Sequence, residues 1–200
     1  MKINGYAPEK RQEKYPQLPV GAYVCAIKNV KVDGAEPDQQ IVLRLDIVEG
    51  EWAAYYTNRY NHDSKNAGFS QNYEAKYKGD FRMQIPDERN PKRTHPEWDL
   101  RALNQNISCI LESNPGLVWD GDTNNVACFK NKLVGINVRE AYFNGNPFTE
   151  IARLETVGDV RDGKCKQLKA REEKKTAGQA VTSVDAQTGF VGVEVDDLPF

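Results

Sequence analysis

Between Tyr55 and Arg82 the chain interleaves aromatic rings with cations: Tyr55, Tyr56, Arg59, Tyr60, Lys65, Phe69, Tyr73, Lys76, Tyr77, Lys78, Phe81 and Arg82. Rings of this kind stack on unpaired bases at about 1–3 kcal/mol per base, and cations follow the phosphates of a single strand. Arg139, Tyr142 and Phe143 form a second such group beside Asn144-Gly145, and Arg44 stands alone further upstream. Some of the rings have a competing place in a core. If Tyr55 and Tyr56 lie on a strand they point to opposite faces, so at most one of them meets a nucleic acid. Arg89, Lys92 and Arg93 read as a solvated loop. The three tryptophans, Trp52, Trp98 and Trp119, are expected in the core rather than on a ligand platform.

Other chemistries find less support. The two histidines, His62 and His95, are far apart in sequence. His62-Asp63-Ser64 holds the residue types of a triad, but neighbours cannot form one among themselves, and no nucleophile-elbow motif accompanies them. Cys25, Cys109, Cys128 and Cys165 are scattered, which suits reduced thiols in a cytoplasm and gives no zinc-ligand spacing. Asp120-Gly121-Asp122 lacks the remaining ligands of a calcium loop, and no phosphate-binding glycine motif occurs. A nuclease or deaminase would need metal ligands that are missing. No catalytic residue, metal or cofactor is therefore expected.

The other chemically distinctive segment is Asp196-Asp197-Leu198-Pro199-Phe200. An aromatic ring beside a carboxylate, behind two aspartates, fits an apolar pocket ringed by Arg or Lys. Pro199 stiffens the approach and lowers the entropy cost of docking. The segment resembles the acidic tip of the bacterial and phage single-stranded-DNA-binding proteins, which end in Asp-Asp-Ile-Pro-Phe or a close variant, and the body is more similar to the phage-encoded relatives. The resemblance implies an OB-fold holding DNA, recruitment of replication and recombination proteins through Asp196, Asp197, Leu198, Pro199 and Phe200, and a cytoplasmic location in a bacterial host. Relatives assemble as dimers or tetramers, which makes a homo-oligomer an expected partner. The long 61–95 segment and the short 144–145 turn depart from the housekeeping family, so only the tip is carried over residue by residue.

Charge divides in the same way. Residues 1–175 hold all 27 Lys and Arg and 25 of the 29 acids, a body of +2; residues 176–200 hold Asp185, Glu194, Asp196 and Asp197, a tail of −4. A body of +2 is weak by itself, so binding must rest on local patches. No stretch approaches the roughly 18 apolar residues of a membrane span, and no signal-peptide pattern is visible, so no membrane partner is expected.

Residues 1–18, with Pro8 and Pro16, read as an arm. Val20–Val32 and Gln40–Val48 read as strands, the second with Ile41, Leu43, Leu45 and Ile47 on one face and Val42, Arg44, Asp46 and Val48 on the other. Trp52–Tyr60 reads as a third strand. Residues 61–95 form a polar insertion with a short strand near Phe81–Ile85. Thr94 as N-cap with Glu97 three residues on opens a helix with Trp98, Ala102, Leu103, Ile107, Ile110 and Leu111 on one face, stopped at Asn114-Pro115-Gly116. Lys132–Tyr142 and Phe148–Val157 flank Asn144-Gly145, a strong hairpin signal. Residues 164–175 suggest a short helix, and 176–195 a flexible linker. Three strands, a helix and a two-stranded hairpin follow the element order of an OB-fold, a five-stranded Greek-key barrel with its helix between strands three and four. The expected protein is mainly β. It has an arm over 1–18, an OB domain over 19–160, a linker over 161–195 and a docking tip over 196–200. It coats single-stranded DNA in replication, recombination and repair. The alternative is an OB-type adaptor for a recombinase or helicase with little DNA binding of its own.

Overall fold

The computed structural model describes residues 14–66 and 74–172. Phe69, Tyr73, the 176–195 linker and the 196–200 tip lie outside the described residues. Five strands, β1 (Gly21–Asp33), β2 (Gln40–Ile47), β3 (Asp80–Gln84), β4 (Leu133–Phe143) and β5 (Asn146–Glu155), form one antiparallel sheet in the order β3-β2-β1-β4-β5. Its helices are α1 (Tyr55–Asn66), α2 (Pro96–Ser113) and α3 (Val157–Arg161), with a 3-10 helix at Thr123–Phe129 before β4. The architecture is mixed α/β rather than mainly β.

Period-2 patterning builds the sheet. Ile41, Leu43, Leu45 and Ile47 of β2 are all 1% exposed or less. They join Cys25 and Ile27 of β1, Met83 of β3, and Val134 and Ile136 of β4 in one core. α2 closes that core with Leu103, Ile107 and Ile110, and the 3-10 helix adds Val126 and Phe129. Asn144-Gly145 forms the two-residue turn, with φ of 49° and 72°, the left-handed pair that matches strand twist.

Trp52–Tyr60 is not a strand. Residues 51–54 turn, and Tyr55 opens α1. The cause is tertiary. Asp46, buried on β2, accepts from the Tyr56 N–H at 3.0 Å and from the Thr57 hydroxyl, so a carboxylate from another element satisfies the first turn of the helix. Tyr55 and Tyr56 anchor the same turn in the core at 2% and 5% exposure. The third strand is instead the short segment within the insertion, at Asp80–Gln84.

The expected closed barrel is also corrected. β3 and β5 are the two edges of the sheet and do not pair among the described residues. Between them runs a cleft of about 770 Å³, lined by Lys78 and Asp80 on one side and Pro147–Ile151 on the other, with Tyr15, Arg59 and His62 across the gap. Side chains of α1 and of the 14–17 segment thus line the seam where a barrel would close.

Three smaller expectations change. α2 starts at Pro96 with His95 as N-cap and no side-chain cap bond, because Pro96 takes the first helical position, where no N–H is needed. Trp98 and Ala102 leave the packing face and are exposed. Residues 164–170 form no helix. They stay on the body: Asn137 Nδ2 donates to the Lys166 carbonyl at 3.0 Å, and the Arg171 N–H to the Glu140 carbonyl at 2.9 Å.

Candidate nucleic-acid interface

The outer face of β1, β2 and β3 turns away from the core and carries two cross-strand rows. Register places Asn29, Arg44 and Asp80 in one row and Lys31, Val42 and Arg82 in the next. Asn29, Lys31, Val42, Arg44 and Asp80 line a shallow hollow of about 220 Å³.

Arg44 is held from two sides. Its Nε and Nη2 donate to Asp80 Oδ1 and Oδ2 at 2.9 and 3.2 Å, and its guanidinium lies 4.7 Å from the centroid of the Tyr77 ring. The carboxylate of Asp80 raises the arginine further above its ordinary range. Tyr77 donates its hydroxyl to the Leu45 carbonyl at 2.9 Å, and burial pushes that phenol up to about 12. It stays protonated and fixed near neutrality. Tyr60, 39% exposed, packs on Tyr77 with ring centroids 5.9 Å apart. Arg82 Nη1 bonds Asp33 Oδ2 at 3.0 Å, and Lys31 reaches the other oxygen of Asp33 at 2.9 Å. Hydrogen bonds from Lys31 and then Arg82 hold the Asp33 carboxyl below its usual range.

Arg44, Tyr60, Tyr77 and Arg82 are thus brought together, with Lys76 and Lys78 exposed in the segment leading into β3. Lys65 is exposed at the end of α1. Phe81 is partly buried against the core. Tyr55 and Tyr56 do not belong to this surface. Both rings are in the core, and the Tyr55 hydroxyl bridges the Leu18 N–H, the Pro16 carbonyl and Arg59 at 3.0, 3.0 and 3.1 Å. Arg59 lines the seam cleft instead, between Tyr55 and Asp63.

The second predicted group lies away from this surface, on β4 and its hairpin toward the far end of the sheet. Arg139 on β4 pairs with Glu150 at 2.9 Å, and Glu150 also takes Arg171 at 2.8 Å. A hydrogen bond with Glu140 raises the Tyr142 phenol. Phe143 stands at the hairpin tip, 68% exposed. The 85–93 segment is no loose loop. Arg89 pairs with Glu36 and Asp87, Lys92 with Asp38, and Asn90 donates to the Pro37 carbonyl, strapping this segment to the β1–β2 loop.

Three residues were missed in the sequence. Lys31 had a legible signal, its outward position on a period-2 strand. Tyr15 and His62, whose rings lie 5.3 Å apart in the cleft, had none, because an arm and a helix meet there only in three dimensions.

The ion pairs of this face are at least partly open to solvent, with the Asp80 side chain 21% and the Asp33 side chain 38% exposed, so each contributes little and leaves Arg44, Arg82 and Lys31 open to exchange of partners. Among the described residues no group of three or more His, Cys, Asp or Glu could hold a metal ion, and no helix is long and apolar enough to cross a membrane. No protein-family model matches the chain, and no curated protein matches it.

Proposed function

We propose that this chain is a single-stranded-DNA-binding protein whose body is an OB-type sheet opened between β3 and β5. The observation that carries the reading is the outer face of β1–β3, where Arg44 lies over the fixed Tyr77 ring, Tyr60 packs beside that ring, and Lys31 and Arg82 add cations in the next cross-strand row. The topology supports it. β1 pairs with both β2 and β4, and α2 lies between β3 and β4, which is the connectivity of an OB-fold without its closing pair. Strands two and three of that fold are its oligonucleotide surface. Binding would run through phosphate contacts and base stacking with little sequence preference, and no bond-making chemistry is involved. The 196–200 segment would dock enzymes of replication and recombination.

The self-paired cations favour a second reading, an OB-type adaptor that binds a recombinase or helicase. Anisotropy of a labelled oligo-dT of about 30 nucleotides, titrated at two salt concentrations, separates the two. A DNA reader binds tightly and loses affinity with a log–log slope near −0.7 per phosphate contact. Absence of binding at low salt would sink the DNA reading and leave the adaptor.

A further inference from the structure

Trp98 is the most exposed tryptophan position in the described fold, 65% open on the first turn of α2. One ring face is already occupied. The His95 imidazole stacks on the indole at 4.0 Å between centroids and 15° between planes. His95 is itself oriented, its Nδ1 lying 2.9 Å from Glu97 Oε1. Pro96 separates the two aromatic residues and fixes its own φ in the first helical position. A lone exposed apolar residue needs no explanation. A tryptophan held by a stacked neighbour, with most of its surface open, is a pre-ordered planar platform, and little rotamer freedom remains to be lost on binding.

The platform is continuous with the outer face of β3. Gln84, last residue of that strand, joins Gln40 of β2 at 3.1 Å. Arg93 Nη2 donates to Gln84 Oε1 at 2.8 Å, and its Nη1 lies 3.7 Å from Asp99, the residue after Trp98. A track of polar contacts therefore leads from Gln84, two residues beyond Arg82 on the same face, past the Arg93 cation to Asp99, the neighbour of Trp98 in the first turn of α2. β3 covers five residues, about 17 Å of that track.

We infer that Trp98, backed by His95, stacks on a base of a single DNA strand that leaves the β1–β3 face and continues onto α2. This rests on the DNA-binding reading above and adds to it a second base platform outside the sheet. It requires a length dependence. A strand of about 5 nucleotides fills the sheet face alone, whereas one of about 15 reaches α2.

The test uses the full-length protein, its Trp98→Ala and Trp98→Phe variants, and labelled oligo-dT of both lengths. Because Trp98 is exposed, the melting curves of all three proteins should coincide. Trp98→Ala should weaken the long oligonucleotide about 5- to 100-fold, the worth of one stacked base, and leave the short one unchanged. Trp98→Phe should restore most of the loss. Quenching of tryptophan emission by the long strand should fall in Trp98→Ala, although Trp52 and Trp119 remain. Wild-type affinity of Trp98→Ala for the long strand would overturn the inference and leave the DNA-binding reading standing. Equal loss on both lengths would overturn it too. If the wild-type protein binds neither strand, the DNA-binding reading itself fails and the platform falls with it.

Discussion

Three donors converge on the buried carboxylate of Asp46: the Ile47 N–H, the Tyr56 N–H and the Thr57 hydroxyl. Asp46→Ala strands the two buried N–H donors, and should cost about 2–4 kcal/mol in chemical denaturation, since an unpaired buried donor costs about 1–3 kcal/mol and a lost helix cap about 1. Asp46→Asn, which keeps an acceptor oxygen, should lose less. At the interface, Arg44 and Asp80 give opposite signs. Arg44→Ala should weaken oligo-dT binding and flatten the salt slope by about 0.7. Asp80→Asn releases Arg44 to the phosphates and should tighten binding at low salt. If Asp80→Asn weakens binding as much as Arg44→Ala does, the pair is structural and phosphates do not displace it.

At the scale of elements, α1 shows how packing overrides propensity. Its twelve residues are polar, and a helix of this length is marginal alone. Capping by Asp46 and burial of Tyr55 and Tyr56 hold it in place. Gly79 sets how closely the segment before β3 meets β2. The Leu45 N–H bonds to its carbonyl at 2.9 Å, and a Cβ there would collide with the Leu45 oxygen and the Tyr56 ring. Gly79→Ala should therefore destabilise the fold by about 1–3 kcal/mol, read as a shifted urea midpoint. The strap over residues 85–93 is electrostatic and should respond to acid. Lys92 and then Asn90 depress the Asp38 carboxyl, and Arg89 depresses Asp87. A carboxylate depressed by folding contributes stability that is present above its unfolded value, about 3.9, and is lost as pH falls through the lower folded value. Amide protection at Asn90 and Arg93 should hold from neutrality to about pH 5 and fall on the acid side of 4. Protection that persists there would mean that backbone bonds alone hold the strap.

For the whole molecule, the +2 body and −4 tail are the quantities that matter. On the DNA-binding reading the acidic tail would compete with DNA for the body's cations, a competition screened within about 10 Å at moderate salt. A 1–175 truncation should bind oligo-dT more tightly than the full chain at low salt, and the gap should close as salt rises. Equal affinity at low salt would remove the competition. The open seam between β3 and β5 is a second whole-molecule property, since it sets α1 and the 14–17 segment beside both sheet edges.

All five strands and the long helix were legible in the sequence, because period-2 runs such as Ile41–Ile47 and turn pairs such as Asn144-Gly145 report local geometry; the extra strand read at Trp52–Tyr60 was the error. α1 was half-legible. Tyr55, Arg59 and Asp63 fall at helical spacing, but the dense aromatics of Trp52–Tyr60 read equally as a strand, and only the distant Asp46 decides between them. Of the candidate interface, the residue types were legible and their sides were not. Tyr56 and Tyr77 are both tyrosines in the same run, yet one is core and the other floors the Arg44 site, because burial depends on which elements meet above a side chain. Trp98 was misread for the same reason: it follows the helical period of the packing face but sits one turn ahead of Leu103, the first residue of α2 buried in the core. Composition, charge split and strand order of the hairpin thus come from the chain alone. The helix at 55–66, the open seam and the exposed indole come from long-range contacts, whose energies no local window contains.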